Sequence, residues 1–209
     1  MRGLYLVTPN WDDTDRLLAV TEAGLRGGAV LVQYRHKEAD AALRHQQGEA
    51  LLALCRRYRI PLVLNDYLDL CVQLDADGVH LGALDGDLTT ARQVLGPDKI
   101  VGASCYGALS LAVKAQQAGA SYVAFGGFYP SPVKQYDFVT QPDLLIAARA
   151  ALSVPLVVIG GMTPANAAPL VARGADMVAA ITSVYAAPDP EQAARAFFQP
   201  GSGPAIGQI

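Results

Sequence analysis

Charged side chains are scarce in this chain of 209 residues, since Asp, Glu, Lys and Arg together make up 17% of it. An average globular protein contains about 25% charged residues. Hydrophobic residues instead make up 52% of the sequence. So little charge in so long a chain predicts elements that are shielded from water on both faces, as in a parallel sheet covered by helices.

The sequence also lacks basic runs and long apolar runs. Its formal net charge is −3, and Lys and Arg do not cluster among aromatic residues. A nucleic-acid or anionic-membrane partner therefore has no electrostatic support. No apolar run approaches the roughly 18 residues that a membrane-spanning helix needs. We expect small molecules as partners, and the choice between a monomer and a homo-oligomer stays open.

Cysteine is rare as well. The three cysteines, Cys55, Cys71 and Cys105, form no CxxC pair. Their odd number argues against a disulfide framework, which favours a reduced compartment. The apolar start over residues 4–7 is too short for a signal peptide. We therefore expect a cytoplasmic protein.

Short apolar or β-branched runs alternate along the chain with longer segments of helical period. The predicted strands are residues 4–8, 30–34, 62–65, 78–81, 100–104, 122–126, 156–159 and 177–181. The predicted helices are residues 15–26, 39–59, 68–74, 88–95, 110–118, 141–151, 164–173 and 190–198. This alternation predicts an α/β fold, a single-domain (β/α)8 TIM barrel over residues 1–199 with a loosely held tail over residues 200–209. A doubly wound open sheet is the alternative, because alternation alone does not show that a sheet closes.

Polar residues collect where the predicted strands end, which is where barrel enzymes carry their functional side chains. Gly160 and Gly161 follow the seventh strand, and Thr182 and Ser183 follow the eighth. These two loops are the usual phosphate site of a barrel, because glycine lets backbone N–H groups approach the oxygens and a short helix near Thr182 adds its dipole. The alternative is that the two glycines only make a tight turn.

A second polar group combines cations with carboxylates at the same predicted mouth. Arg35 and Lys37 follow the second strand, and Lys134 lies in the loop after the sixth. Asp66 and Asp85 follow the third and fourth strands. Mg²⁺ prefers one or two carboxylates together with water and substrate phosphates, so this group predicts a Mg²⁺-assisted diphosphate site. Solvated surface cations and helix-capping carboxylates are the alternatives.

Histidine and cysteine give no sign of other chemistry. His80 lies inside a predicted strand, and no second His or Cys has the spacing of a metal partner. We interpret it as a packed or hydrogen-bonded core histidine. Cys105 cannot be matched with a histidine and a third orienting residue, so nucleophilic catalysis is not predicted.

Short motifs follow one another in a definite order along nearly the whole chain. They are Gln33-x-Arg35-x-Lys37, Asn65-Asp66, Gly78-Val79-His80-Leu81-Gly82-x-x-Asp85, Gly102-x-Ser104, Tyr129-Pro130-Ser131-x-x-Lys134, Ile159-Gly160-Gly161 and Gly174-Ala175-Asp176. Together they resemble the motifs of the thiamine-phosphate synthase family. The resemblance implies a Mg²⁺-dependent barrel transferase that joins 4-amino-2-methyl-5-(diphosphooxymethyl)pyrimidine to a thiazole phosphate, giving thiamine phosphate and pyrophosphate.

The resemblance also implies roles for individual residues. Those expected to bind the pyrimidine diphosphate are Gln33, Tyr34, Arg35, His36, Lys37, Asn65, Ser104 and Lys134. Those expected around the thiazole phosphate are Ser131, Pro132, Val133, Gly161, Ile181 and Thr182. Asp66 and Asp85 are the expected Mg²⁺ ligands, and the expected catalytic residues are Arg35, Lys37, Lys134 and Ser104.

The chain departs from the family pattern at three positions. Tyr67 stands where the family often has a second aspartate, Val133 where it has a hydroxyl, and Tyr106 where many members have a histidine. If the hydroxyl at position 133 matters, thiazole phosphate binds more weakly; if backbone N–H groups make the contact, little changes.

The implied chemistry proceeds by loss of pyrophosphate before the new bond forms, because the electron-rich aminopyrimidine stabilises the resulting cation. Cations and Mg²⁺ then stabilise the leaving group, and no strong general base is required. One rival is an isomerase like the thiazole tautomerases, which needs a proton-transfer residue but neither diphosphate nor metal. Another is a non-catalytic binder of thiamine precursors, which is disfavoured because so many ionic groups are unfavourable to bury without a function.

Overall fold

The computed structural model describes residues 1–82, 87–131, 133 and 136–198. Its strands form a closed barrel in which each strand pairs in parallel with the next along the chain and β8 pairs with β1. The strands are β1 (Gly3–Val7), β2 (Leu31–Tyr34), β3 (Leu62–Asn65), β4 (Gly78–Gly82), β5 (Ile100–Ser104), β6 (Tyr122–Phe125), β7 (Leu156–Ile159) and β8 (Met177–Ala180). The predicted (β/α)8 barrel is confirmed, and the open-sheet alternative is wrong because the β1–β8 pairing leaves no free edge.

Helices cover the outside of the barrel. Among the described residues they are α1 (Thr14–Arg26), α2 (Ala41–Tyr58), α3 (Leu68–Leu74), α4 (Leu88–Leu95), α5 (Leu109–Gln117), α6 (Leu144–Ala151), α7 (Pro164–Ala172), α8 (Thr182–Tyr185) and α9 (Pro190–Arg195), followed by a 3-10 turn (Ala196–Phe198). Aspartates cap several of them, since Asp13, Asp40, Asp87 and Asp189 each accept a hydrogen bond from a first-turn backbone N–H group. Such caps satisfy donors that a helix start leaves unpaired.

The barrel buries two separate apolar layers. Alternate strand residues point inward and form a small cluster that includes Tyr5, Val7, Tyr122 and Met177. The residues between them point outward and pack under the helices in a much larger cluster. Because each strand is covered on both faces, it carries few charges, which accounts for the composition of the sequence.

Other expectations concern the cysteines, membrane helices and the tail. All three cysteines are free thiols in buried positions. Within the described ranges, none of the helices is long and apolar enough to cross a bilayer. The predicted tail over residues 200–209 lies outside the described residues.

Candidate active site

A cavity of about 470 Å³ opens at the carboxyl ends of the barrel strands. This volume is in the range of small-molecule sites. The cavity brings together most of the residues that the sequence predicted for the site. These are Gln33, Arg35, Lys37, Asn65, Asp66, Ser104, Ser131, Val133, Gly161, Ile181 and Thr182. Three predicted residues, Asp85, Pro132 and Lys134, lie outside the described residues.

Two predicted residues, Tyr34 and His36, do not line this cavity. The Tyr34 hydroxyl donates to Oε1 of Gln47 in α2 at 2.9 Å. His36 is buried, and its Nε2 lies 2.9 Å from the carboxylate of Asp12. Successive side chains of an extended segment point to opposite sides, so these two face the helices while their neighbours in the motif face the cavity.

The β2–α2 loop, which carries Arg35 and Lys37, is fixed by the loop after β1. The hydroxyl of Thr8 accepts from the Arg35 backbone N–H at 2.8 Å and donates to the Arg35 carbonyl oxygen at 3.1 Å. Oδ1 of Asn10 accepts from the Lys37 backbone N–H at 3.2 Å. Both cations therefore project from a backbone that is held in place before any ligand binds.

Arg35 supplies a partly desolvated positive charge. Burial lowers the pKa of its guanidinium below the ordinary value, and the nearby carboxylate of Asp66 opposes that shift. Within the described part of the chain, no carboxylate lies within ion-pair distance of this guanidinium. Lys37 stands beside it, with Nζ 3.6 Å from Oδ2 of Asp66. A partly buried cation that is not neutralised directly favours an anionic ligand.

Asp66 presents a carboxylate to the cavity from an unusual backbone conformation. Its φ is 67°, in the left-handed region, and its backbone N–H donates to the His80 carbonyl oxygen at 2.9 Å. Its Oδ2 accepts from the Asn65 side-chain amide at 2.7 Å, and its side chain is 41% exposed. The helix-cap alternative does not fit, because Tyr67 occupies the N-cap of α3 and Asp87 occupies that of α4.

The side chains at this site can be compared with the ligands that a metal ion requires. Among the described residues, no three His, Cys, Asp or Glu side chains come close enough to enclose one. Mg²⁺ requires less, namely one or two carboxylates with water and substrate oxygens. The accessible carboxylate of Asp66 fits as one hard oxygen ligand, and the second predicted ligand, Asp85, lies outside the described residues.

The loops after β7 and β8 form the other side of the cavity. Gly160 and Gly161 have φ angles of 103° and 61°. The carbonyl of Gly161 accepts from the Asn166 side-chain amide at 2.8 Å, which fixes the turn into α7. Thr182 begins α8, and the buried hydroxyl of Ser183 has no hydrogen-bond partner among the described residues. Both halves of the predicted phosphate site therefore line one cavity.

A chain of hydrogen bonds crosses the barrel interior along the wall of the cavity. It links Gln33, Tyr5, Tyr122, His80 and Ser104, in that order. His80 is 6% exposed and bonded on both ring nitrogens, as expected for a hydrogen-bonded core histidine.

Several lining residues were not predicted from the sequence. They are chiefly Tyr5, His80, Tyr106 and Tyr136. The strict alternation of β1, which turns Tyr5 to the same face as Val7, could have identified the first of them. Tyr136 follows no strand directly, so no local pattern marks it.

Cys105 does not provide a nucleophile, although it follows β5 directly. It is fully buried, and burial raises the pKa of its thiol to about 12. Because the thiolate is the reactive form, this thiol is inert at neutral pH. Cys105 is therefore not a candidate nucleophile.

Comparisons with known proteins agree on one family. The sequence model of a family described as thiamine monophosphate synthase matches residues 4–184. A thiamine-phosphate synthase of Janthinobacterium sp. (strain Marseille) is 60% identical over 197 residues, covering 94% of this chain and 95% of the relative. One of Thiobacillus denitrificans is 52% identical over 194 residues, covering 92% and 91%. Among solved structures, thiamine phosphate pyrophosphorylase from Pyrococcus furiosus gives a TM-score of 0.82 at 29% identity and covers 93% of both chains.

Proposed function

The chain belongs to the thiamine monophosphate synthase family, and we propose that its cavity binds a pyrimidine diphosphate and a thiazole phosphate side by side and joins them. The reaction is a transfer in which the thiazole nitrogen replaces pyrophosphate at the pyrimidine CH₂ carbon. The products are thiamine phosphate and pyrophosphate. The observation that carries the proposal is a single cavity with a cationic wall from the β2–α2 loop and a glycine-rich wall from the loops after β7 and β8.

The diphosphate belongs on the cationic wall. Arg35 and Lys37 are aimed there by a backbone that Thr8 and Asn10 hold. When the bond from the CH₂ carbon to the diphosphate oxygen breaks, its electron pair leaves with pyrophosphate. Fixed cations stabilise the growing negative charge without reorganising, and this lowers the barrier. Lys134, which the family resemblance adds, extends the same role.

Mg²⁺ fits the same wall. Asp66, together with Asp85, would hold the ion. When bound, Mg²⁺ would supply a second centre of positive charge that neutralises diphosphate oxygens. The ion pair between Lys37 and Asp66 keeps both side chains close to where the diphosphate would bind. Asn65 orients the Asp66 carboxylate through its side-chain amide.

The thiazole phosphate belongs on the glycine-rich wall. The positive φ at Gly161 suits glycine, and a residue without a Cβ allows phosphate oxygens to approach the backbone closely. Thr182 offers a further donor, and so does the hydroxyl of Ser183, which lacks a partner among the residues that the structure describes. This arrangement supports phosphate binding rather than a tight turn alone.

No strong base is needed for the step that follows. Departure of pyrophosphate leaves a cation on the CH₂ carbon that the aminopyrimidine stabilises, and the thiazole nitrogen attacks with its own lone pair. The apolar side chains of the cavity, such as Val7, Val157 and Ile159, limit the access of water to that cation.

The proposal is tested with the purified chain, Mg²⁺ and both substrates. We expect thiamine phosphate and pyrophosphate in equal amounts, and neither product when one substrate is omitted. Isomerisation of thiazole phosphate alone would instead identify a tautomerase-like enzyme. Binding of both substrates without any product, under conditions in which an active relative turns over, would identify a binding protein.

A further inference from the structure

The hydrogen-bonded chain in the barrel interior has Gln33 and Ser104 at its two ends, and both line the cavity, as do Tyr5 and His80. At one end, Nε2 of Gln33 donates to the Tyr5 hydroxyl at 2.5 Å. The Tyr5 and Tyr122 hydroxyls lie 2.6 Å apart. Nδ1 of His80 lies 2.8 Å from the Tyr122 hydroxyl, and Nε2 of His80 lies 2.8 Å from Oγ of Ser104. Side chains from five strands thus make one continuous chain.

The direction of every bond in the chain follows from its first member. An amide nitrogen can only donate, so the Tyr5 hydroxyl accepts there. Among the described residues, the acceptor within reach of the Tyr5 hydrogen is the Tyr122 hydroxyl. Tyr122 then donates its own hydrogen to Nδ1 of His80. That ring carries its hydrogen on Nε2 and donates to Ser104, whose hydrogen is left for a ligand.

Burial keeps both tyrosines in the form that the chain requires. Tyr5 and Tyr122 are 1% and 0% exposed. Burial raises the pKa of both hydroxyls well above the ordinary value, so each keeps the one hydrogen that it passes on. The two rings meet edge to face with their centroids 5.7 Å apart.

The backbone of β5 makes room for the middle of the chain. Gly102 lies beside the Tyr122 and His80 rings, which stack at 5.6 Å with an interplanar angle of 19°. A Cβ atom at Gly102 would overlap the Tyr122 hydroxyl, and it would come within 2.7 Å of Nδ1 of His80. The absence of a side chain at Gly102 therefore permits the hydrogen bond between the Tyr122 hydroxyl and Nδ1 of His80.

The two ends of the chain offer opposite hydrogen-bonding groups to the cavity. Gln33 uses its nitrogen on Tyr5, so its Oε1 remains as an acceptor. Ser104 accepts from His80, so its hydroxyl remains as a donor. An aminopyrimidine has the matching groups, an amino N–H and ring nitrogens with lone pairs. An oxopyrimidine reverses them, because it presents a carbonyl oxygen and a ring N–H.

We propose that Tyr5, Tyr122 and His80 are positioning residues. They fix which hydrogen-bonding group Gln33 and Ser104 each offer to the cavity, and so they select an aminopyrimidine over an oxopyrimidine. That the ligand is a pyrimidine rests on the proposed function. The three residues act through Gln33 and Ser104, although Tyr5 and His80 also line the cavity. A reversed amide at Gln33 would reverse every bond of the chain and leave Ser104 with only lone pairs to offer.

The first test measures the tautomer of His80 in the ligand-free wild-type protein by ¹⁵N NMR of the imidazole nitrogens. We expect the hydrogen on Nε2. A ring with the hydrogen on Nδ1, or on both nitrogens, overturns the proposal. The measurement uses no substrate, so its result is independent of synthase activity. An unexpected tautomer in an active enzyme would overturn this proposal alone, and the expected tautomer in an inactive protein would overturn only the proposed function.

The second test compares binding of the aminopyrimidine diphosphate with that of its 4-oxo analogue by calorimetry. The wild type should prefer the amino compound, and Tyr5→Phe should reduce that preference at least tenfold while mixing the His80 tautomers. Tyr185→Phe is the matched control, because it removes a buried hydroxyl that bonds Thr21 at 2.9 Å outside this chain. An unchanged preference in a folded Tyr5→Phe variant overturns the proposal.

Discussion

At the scale of single residues, Asp66 combines features that a purely structural aspartate does not need. Few residues other than glycine adopt a positive φ, although aspartate is enriched among them. Such conformations cost on the order of 1–3 kcal/mol and cluster at functional sites. Here the conformation turns a carboxylate toward Lys37 and the cavity instead of toward a helix end.

Metal dependence follows from this placement. We predict that chelation by EDTA abolishes activity, that Mg²⁺ restores it, and that Asp66→Asn lowers kcat by about 10²-fold or more because a charged oxygen ligand is lost. The free energy of unfolding should change by less than about 1 kcal/mol, since asparagine also tolerates the left-handed backbone. Steady-state kinetics over a Mg²⁺ titration and urea unfolding measure the two effects. Full activity in excess EDTA would show that the reaction does not require a metal ion.

Gly161 tests the separation of the two binding walls. A Cβ atom at this position would overlap the carbonyl oxygen of Pro130, so the loop that forms this wall would have to shift. We predict that Gly161→Ala raises KM for thiazole phosphate about tenfold or more, with KM for the pyrimidine diphosphate nearly unchanged. Gly96→Ala is the control, because Gly96 also has a positive φ, at 73°, while the added Cβ meets no atom within 4 Å. An equal rise in KM for both substrates would show that the substitution damages the whole cavity.

At the scale of elements, the lower end of the barrel is tied together by Asp176, the residue before β8. Its carboxylate accepts from the Leu156 backbone N–H at 2.9 Å and pairs with Arg149 of α6 and, at 3.2 Å, with Arg2. One buried side chain thus links β7, α6 and the start of the chain. The contact lies at the end of the barrel opposite the cavity.

Because of this position, a substitution at Asp176 should change stability but not activity. We predict that Asp176→Ala lowers the free energy of unfolding by about 2–4 kcal/mol, because a buried N–H group and a partly buried guanidinium lose their acceptor. Activity per folded molecule should not change. Denaturant unfolding and initial rates at a permissive temperature measure both. Reduced kcat with unchanged stability would contradict this division between the two ends of the barrel.

The elements were largely predictable from the sequence because their signals are local. The strand over residues 62–65 and the helices over residues 68–74 and 88–95 have the predicted bounds. The helix predicted from residue 39 begins at Ala41, because Asp40 caps it. The helix predicted from residue 141 begins at Leu144, after turn residues that include Pro142.

The interior of the site was less predictable, because it depends on contacts between distant parts of the chain. Tyr5 and Tyr122 are 117 positions apart, and no local pattern joins them. The motif that Tyr34 and His36 share with cavity-lining neighbours predicts that they belong to the site. The alternation of an extended chain, applied to that motif, places them on the opposite side.

At the scale of the whole molecule, overall charge and site charge have opposite signs. The formal net charge is −3. Nevertheless, the wall that would receive the diphosphate carries Arg35 and Lys37, and it is set in a largely apolar cavity. A low-dielectric wall strengthens the attraction of such cations for an anion. The fold can therefore bind two anionic substrates even though the molecule as a whole is acidic.

We expect this wall to stabilise the departing pyrophosphate, and rapid-quench measurement of pyrophosphate release in a single turnover shows whether it does. With both substrates saturating, Arg35→Ala should release pyrophosphate about 10²- to 10³-fold more slowly than the wild type. Arg57→Ala, which removes an exposed arginine of α2, should release it at the wild-type rate. A wild-type rate for Arg35→Ala would contradict the account.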